Sequence, residues 1–125
     1  MILYPNLYLD NVKEISIETL RSHDIEGLIL DVDNTLIDYE QNLLEGVQAW
    51  CANLKSNNIK ICILSNTNNI EKVRRVAEVL DVPFIVFAKK PLKCGFKKAQ
   101  RLLWLNSKQI AAVGDQIFTD VLRRQ

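Results

Sequence analysis

The sequence is poor in the residues that build soft-metal sites. It has one histidine, His23, and three cysteines, Cys51, Cys62 and Cys94, with no pair at metal-ligand spacing. A Cys/His zinc cluster and a disulfide framework therefore lack their raw material, and the thiols read as reduced, with Cys51 and Cys62 in apolar core patterns. His23 sits near the end of a short helical stretch and before Gly27, which makes it a surface or helix-end residue rather than a catalytic base. Excess charge is missing too: 16 basic against 15 acidic residues leave a net charge of +1, so bulk charge gives no argument for nucleic acid. No apolar run approaches the roughly 20 residues of a membrane span. The opening Met1-Ile2-Leu3-Tyr4-Pro5 lacks the basic region and cleavage pattern of a signal peptide. The expectation is a soluble cytoplasmic protein without a transmembrane segment, with peripheral contact to a membrane left open. Basic clusters at Arg74-Arg75, Lys89-Lys90 with Lys93, Lys97-Lys98 and Arg123-Arg124 read either as solvated helix faces or as contacts for an anionic substrate.

What is present is an ordinary globular composition, 48% apolar and 25% charged over 125 residues, which fits one domain over 1–125. Residues 1–26 read as an irregular lead-in followed by a short helix capped by Ser16, and 27–125 as the core. The chain is organised around Asp31-Val32-Asp33-Asn34-Thr35-Leu36. This stretch follows Gly27-Leu28-Ile29-Leu30, an apolar run of the kind that forms a buried strand. Two carboxylates two residues apart on a continuing strand share a face and repel, so a bend or a cation is needed to relieve them.

The rest of the chain alternates strand and helix. Leu43, Leu44, Val47, Trp50 and Leu54 recur at helical spacing. Ile59 to Leu64 reads as a second strand, Ile70 to Leu80 as a helix that Pro83 helps to end, and Phe84 to Ala88 as a third strand. Phe96 to Leu103 reads as another helix, and Ile110 to Val113 as a fourth strand. This order predicts an α/β fold: a Rossmann-like three-layer α/β/α core with a parallel sheet. Ligands in such sheets sit beyond the carboxyl ends of the strands. There the sequence places Asp31 and Asp33, then Ser65, then Lys90, then Asp115 with Asp120.

Alone, each has an ordinary explanation: Asp31-Val32-Asp33 as a turn or cap, Ser65 as a helix N-cap, Asp115 as a turn residue. Together, each after a predicted strand, they form the set that phosphoryl transfer requires: a nucleophile, hydroxyl and amide donors, a cation, and acidic groups for a divalent metal. Oxygen-only ligands favour a hard cation such as Mg²⁺ over zinc.

In these motifs the chain resembles the haloacid dehalogenase-like phosphatase superfamily, whose pattern is Asp-x-Asp-x-Thr, then Ser or Thr, then Lys, then Gly-Asp with a further Asp. It is most similar to the subfamily IIIA branch of YqeG-type proteins and phosphatidylglycerophosphate phosphatases, through Lys90-Pro91-Leu92 and the run Gly114-Asp115-Gln116 to Thr119-Asp120-Val121-Leu122. The resemblance implies that Asp31 attacks phosphorus and forms an aspartyl phosphate, that Asp33 serves as acid and then base, and that Thr35 supports the turn. It also implies that Ser65, the Asn66 backbone and Lys90 bind phosphate. Asp31, the Asp33 carbonyl and Asp115 would hold Mg²⁺, with Asp120 assisting.

The segments 38–46 and 89–110 are too short for a folded cap domain, so an open, capless site is expected. That openness suits a large phosphorylated substrate, with a lipid headgroup at a membrane surface as one candidate. Where relatives continue with glycines and a further strand, this sequence has Arg123-Arg124-Gln125. The expectation is a core without its last C-terminal strand and with one sheet edge less supported. The competing reading is a receiver-like signalling module, or a phosphate-binding protein with weakened catalysis.

Overall fold

A computed structural model describes residues 2–3, 7–8, 12–33, 35–38, 40–87 and 92–114. The elements are β1 (Ile2–Leu3), β2 (Leu7–Tyr8), α1 (Ile17–Ser22), β3 (Gly27–Leu30), α2 (Val47–Ser56), β4 (Lys60–Ser65), α3 (Ile70–Leu80), β5 (Phe84–Val86), α4 (Leu92–Leu103) and β6 (Ile110–Gly114). Among the described residues they form one sheet in the order β2-β1-β6-β3-β4-β5. β6, β3, β4 and β5 run parallel, and β1 joins the outer edge of β6 antiparallel.

The two-residue period of the strands assigns their side chains to the two faces. Leu28, Leu30, Ile61, Ile63, Ala111 and Val113 pack with α1, α2 and α3, through residues such as Leu20, Cys51, Leu54 and Val73. Ile29, Cys62, Leu64 and Ala112 face the other way and pack with Ala99 and Leu103 of α4. Both faces are covered, and the architecture is the three-layer α/β/α one that the alternation of elements predicts.

The strand order also removes the receiver-like reading. In a flavodoxin-like or receiver sheet the first core strand lies between the second and the third. Here β3, the first core strand, lies between β4 and β6, the second and the fourth.

Two expectations need correction. The lead-in is not wholly irregular, because β1 and β2 pair at Ile2 with Tyr8 and at Leu3 with Leu7. Strands of two residues are too short to show a period in sequence. Their consequence is large, since β1 covers the sheet edge beside β6 that was expected to lack support. Leu43 and Leu44 also fall outside α2, which starts at Val47 after Gly46 in the left-handed region at φ 82°. Both still pack against the core from the connection, which is why they match a helical stripe.

Cys51 and Cys62 are buried, as their patterns predict, and burial pushes the Cys51 thiol up to about 11 and the Cys62 thiol up to about 12. Their protonated forms are favoured in the folded chain, so their contribution to stability is intact below pH 9. It is lost as pH rises from there through the folded values, because only the unfolded chain ionises freely. Chemical denaturation as a function of pH should show an alkaline decline that shrinks in Cys62→Ala. An unchanged slope in that variant contradicts the burial effect. A second expectation concerns Gly95 in α4, where an added Cβ would lie 2.8 Å from Leu64 Cδ1 and 3.1 Å from Phe87 Cδ1. Leu64 is fully buried and cannot swing clear. Overpacking of about 1–3 kcal/mol should outweigh the gain in helix propensity of up to about 1 kcal/mol. Urea titration of Gly95→Ala should therefore show a net loss of stability, and a gain would mean that α4 does not press on β4.

Candidate active site

The carboxyl ends of β3 and β4 meet at one end of the sheet, where Leu30 stands opposite Ile63 in parallel register. Asp31 continues the ladder by one bond, its amide donating to the Val113 carbonyl at 3.0 Å. The chain then bends at Val32. The Val32 carbonyl accepts from the amides of Thr35, Leu36 and Ile37 at 3.3, 2.9 and 3.3 Å. The Val32 amide donates to Asp31 Oδ1 at 2.7 Å, which fixes the carboxylate inside the turn.

The bend resolves the repulsion posed by the sequence. Asp31 is 4% exposed, at the floor of the strand end. Asp33 comes out on the rim, its side chain 54% exposed, with Oδ1 accepting from Lys72 Nζ at 2.8 Å. Two acids that would crowd each other on a straight strand thus have different surroundings, one enclosed and one at the surface beside a cation. Thr35 is fully buried, and its hydroxyl has no hydrogen-bond partner among the described residues.

Beyond the turn, residues 36–38 and 40–44 fold back on each other. Ile37 bridges to Leu43, Leu44 donates to the Leu36 carbonyl, and Asp38 Oδ1 accepts from the amides of Glu40 and Asn42. This is a short hairpin-like connection with no room for a cap domain.

The end of β4 is built by a relay of side chains onto backbone. Ser65 is 2% exposed, and its Oγ accepts from the Thr67 amide at 3.3 Å. Thr67 Oγ1 accepts from the Asn69 amide, and Asn69 Oδ1 accepts from the Lys72 amide, capping α3. Asn66 is exposed beside Ser65. Asp31, Asp33, Thr35, Ser65 and Asn66 are thus brought to one end of the sheet. Lys90, Asp115 and Asp120 lie outside the described residues, although Asp115 directly follows the last residue of β6.

Lys72 is the site residue that the motif reading does not find. A signal for it exists: a lysine in the first turn opposes the positive end of the helix dipole, so its placement there calls for an acidic neighbour. That neighbour is 39 residues away in sequence.

The donors fit a hard divalent cation. The described oxygens at this end include the buried carboxylate of Asp31, a hard donor that suits Mg²⁺ better than a soft metal. Among the described residues no group of three or more His, Cys, Asp or Glu residues gathers around one point, so a complete shell must draw on further residues.

The model of the family described as mitochondrial PGP phosphatase matches residues 1–124. The chain belongs to this family. Probable phosphatase YqeG of Bacillus subtilis (strain 168) is 35% identical to it over 119 residues, covering 94% of this chain and 69% of that protein. The cobalt-bound deoxy-D-mannose-octulosonate 8-phosphate phosphatase of Haemophilus influenzae shares its fold, with a TM-score of 0.69 at 18% identity over 79% of this chain and 64% of that one. A Legionella pneumophila protein described as a HAD superfamily (subfamily III A) hydrolase gives a TM-score of 0.58 at 25% identity, over 77% of this chain and 58% of its own. The PGP phosphatase family thus stands within the haloacid dehalogenase superfamily, as the Asp31 to Thr35 motif implies. The chain's class is that of the superfamily's phosphatases, and it spans roughly three fifths of these two solved chains.

The α3 cap is the joint between β4 and Lys72. Asn69→Ala removes its acceptor and should cost about 1 kcal/mol. Thermal unfolding measures that loss, and no change would mean that the relay does not hold α3 in place.

Proposed function

We propose that this member of the PGP phosphatase family is a Mg²⁺-dependent phosphomonoester hydrolase that works through an aspartyl phosphate on Asp31. The observation that carries this reading is the enclosed carboxylate of Asp31 at the end of the central strand, fixed by the Val32 amide, with a second acid on the rim.

In the first step a carboxylate oxygen of Asp31 attacks phosphorus in line with the leaving alkoxide. The new O–P bond forms as the ester O–P bond breaks, and Asp33 gives its proton to the departing alcohol. In the second step Asp33, now a carboxylate, takes a proton from water, and the resulting hydroxide attacks the acyl phosphate. Inorganic phosphate leaves and the Asp31 carboxylate is restored. Dividing one difficult displacement into two easier ones is the gain of covalent catalysis. Ser65 Oγ, the Asn66 amide and Lys90 would bind the phosphoryl oxygens. Asp31, the Asp33 carbonyl and Asp115, assisted by Asp120, would hold Mg²⁺, whose charge would offset that of nucleophile and phosphate.

The open rim among the described residues supports a large substrate. The 36–44 connection is a short hairpin, and Asp33 reaches solvent. A large phosphate ester such as phosphatidylglycerophosphate can approach such a site without a lid having to close over it. The family match supports the same choice.

The test is Mg²⁺-dependent phosphate release from p-nitrophenyl phosphate and from phosphatidylglycerophosphate in vesicles. Asp31→Asn should lower turnover by on the order of a thousandfold or more on both. The lipid should be preferred over the small ester. Equal rates for variant and parent would remove Asp31 as nucleophile. Phosphorylation that accumulates on the chain without turnover would favour a phosphate-binding module with weakened catalysis.

A further inference from the structure

We propose that Lys72 is the positioning residue for Asp33, gripping one oxygen of its carboxylate so that the other is presented to the leaving group and the attacking water. The inference rests on the phosphatase reading, because it presumes that Asp33 handles the proton.

Three observations carry it. Among the described residues the carboxylate of Asp33 has a single side-chain partner, Lys72 Nζ at 2.8 Å from Oδ1. The pair is lopsided in a way that an ordinary surface ion pair is not: the Lys72 side chain is only 13% exposed, while that of Asp33 is 54% exposed. A lysine is thus largely withdrawn from water, in the helix turn where its charge is least welcome, to reach an acid on the rim. The Asp33 half of the pair is solvated, which limits what the pair adds to stability and leaves room for a second reason for it. Geometry gives one. Asp33 lies on a turn, whereas Lys72 lies on α3, tied to β4 through Ser65, Thr67 and Asn69. The contact transfers the rigidity of the helix to the carboxylate. A misplacement of about 1 Å in a reacting group can cost on the order of 100-fold in rate.

The experiment compares the parent chain with Lys72→Met, Lys72→Arg, Asp33→Asn and the double variant Lys72→Met/Asp33→Asn, assayed on p-nitrophenyl phosphate with Mg²⁺. Lys72→Met should lower kcat by roughly 10- to 100-fold with KM nearly unchanged. Lys72→Arg, which keeps the charge and the reach, should recover most of the loss. The double variant should be no slower than Asp33→Asn alone, because Lys72 acts through Asp33. In chains carrying ¹³C-carboxyl aspartate, Lys72→Met should also move the Asp33 resonance, while thermal unfolding stays close to that of the parent.

An unchanged kcat, a rise in KM alone, losses that multiply in the double variant, or an unmoved Asp33 resonance would each overturn the inference. If the parent releases phosphate and Asp31→Asn abolishes this while Lys72→Met does not alter kcat, the inference fails and the phosphatase reading stands. A parent chain without Mg²⁺-dependent release refutes the phosphatase reading, and the positioning role with it.

Discussion

The way the chain leaves the central strand decides the rest of the site. One carbonyl, that of Val32, gathers three amides and turns the backbone sharply after Asp31. This concentrates hydrogen bonds that would otherwise be lost at a buried strand end, where unpaired backbone groups are costly. It also places Asp31 inside the turn and Asp33 outside it. The sheet supplies the other half of the constraint: β3 lies beside β4 in parallel register, so Ser65 at the end of β4 comes out at the same end of the sheet as Asp31.

The two acids therefore meet different electrostatic surroundings. In the proposed mechanism the enclosed Asp31 carboxylate, held by a backbone amide, needs little reorganisation before attack. In the same proposal Asp33, on the rim beside Lys72, is within reach of both water and a leaving alcohol. The pair between Asp33 and Lys72 ties the turn after β3 to the first turn of α3. The two strand ends that carry Asp31 and Ser65 are thereby linked by side chains as well as by the sheet.

Much of this is legible in the sequence, for identifiable reasons. The core strands are short apolar runs that stop at polar clusters, and that contrast survives without any tertiary knowledge. Asp31, Asp33 and Ser65 can be found because each follows such a run. β1 and β2 are not legible, since two residues carry no period. Leu43 and Leu44 mislead because an apolar residue packed from a loop looks the same as one on a helix. Lys72 escapes because its partner lies on a different strand end, and only the fold brings the two together.

The claim on which the account depends is that phosphate passes through Asp31. The most direct measurement is a borohydride quench of the chain during turnover with Mg²⁺ and a phosphate ester, followed by peptide mass spectrometry. An acyl phosphate on Asp31 is reduced by borohydride, so homoserine is expected at position 31 and unmodified aspartate at Asp33. Phosphate release with Asp31 left unreduced, or a reduced residue elsewhere, would contradict it.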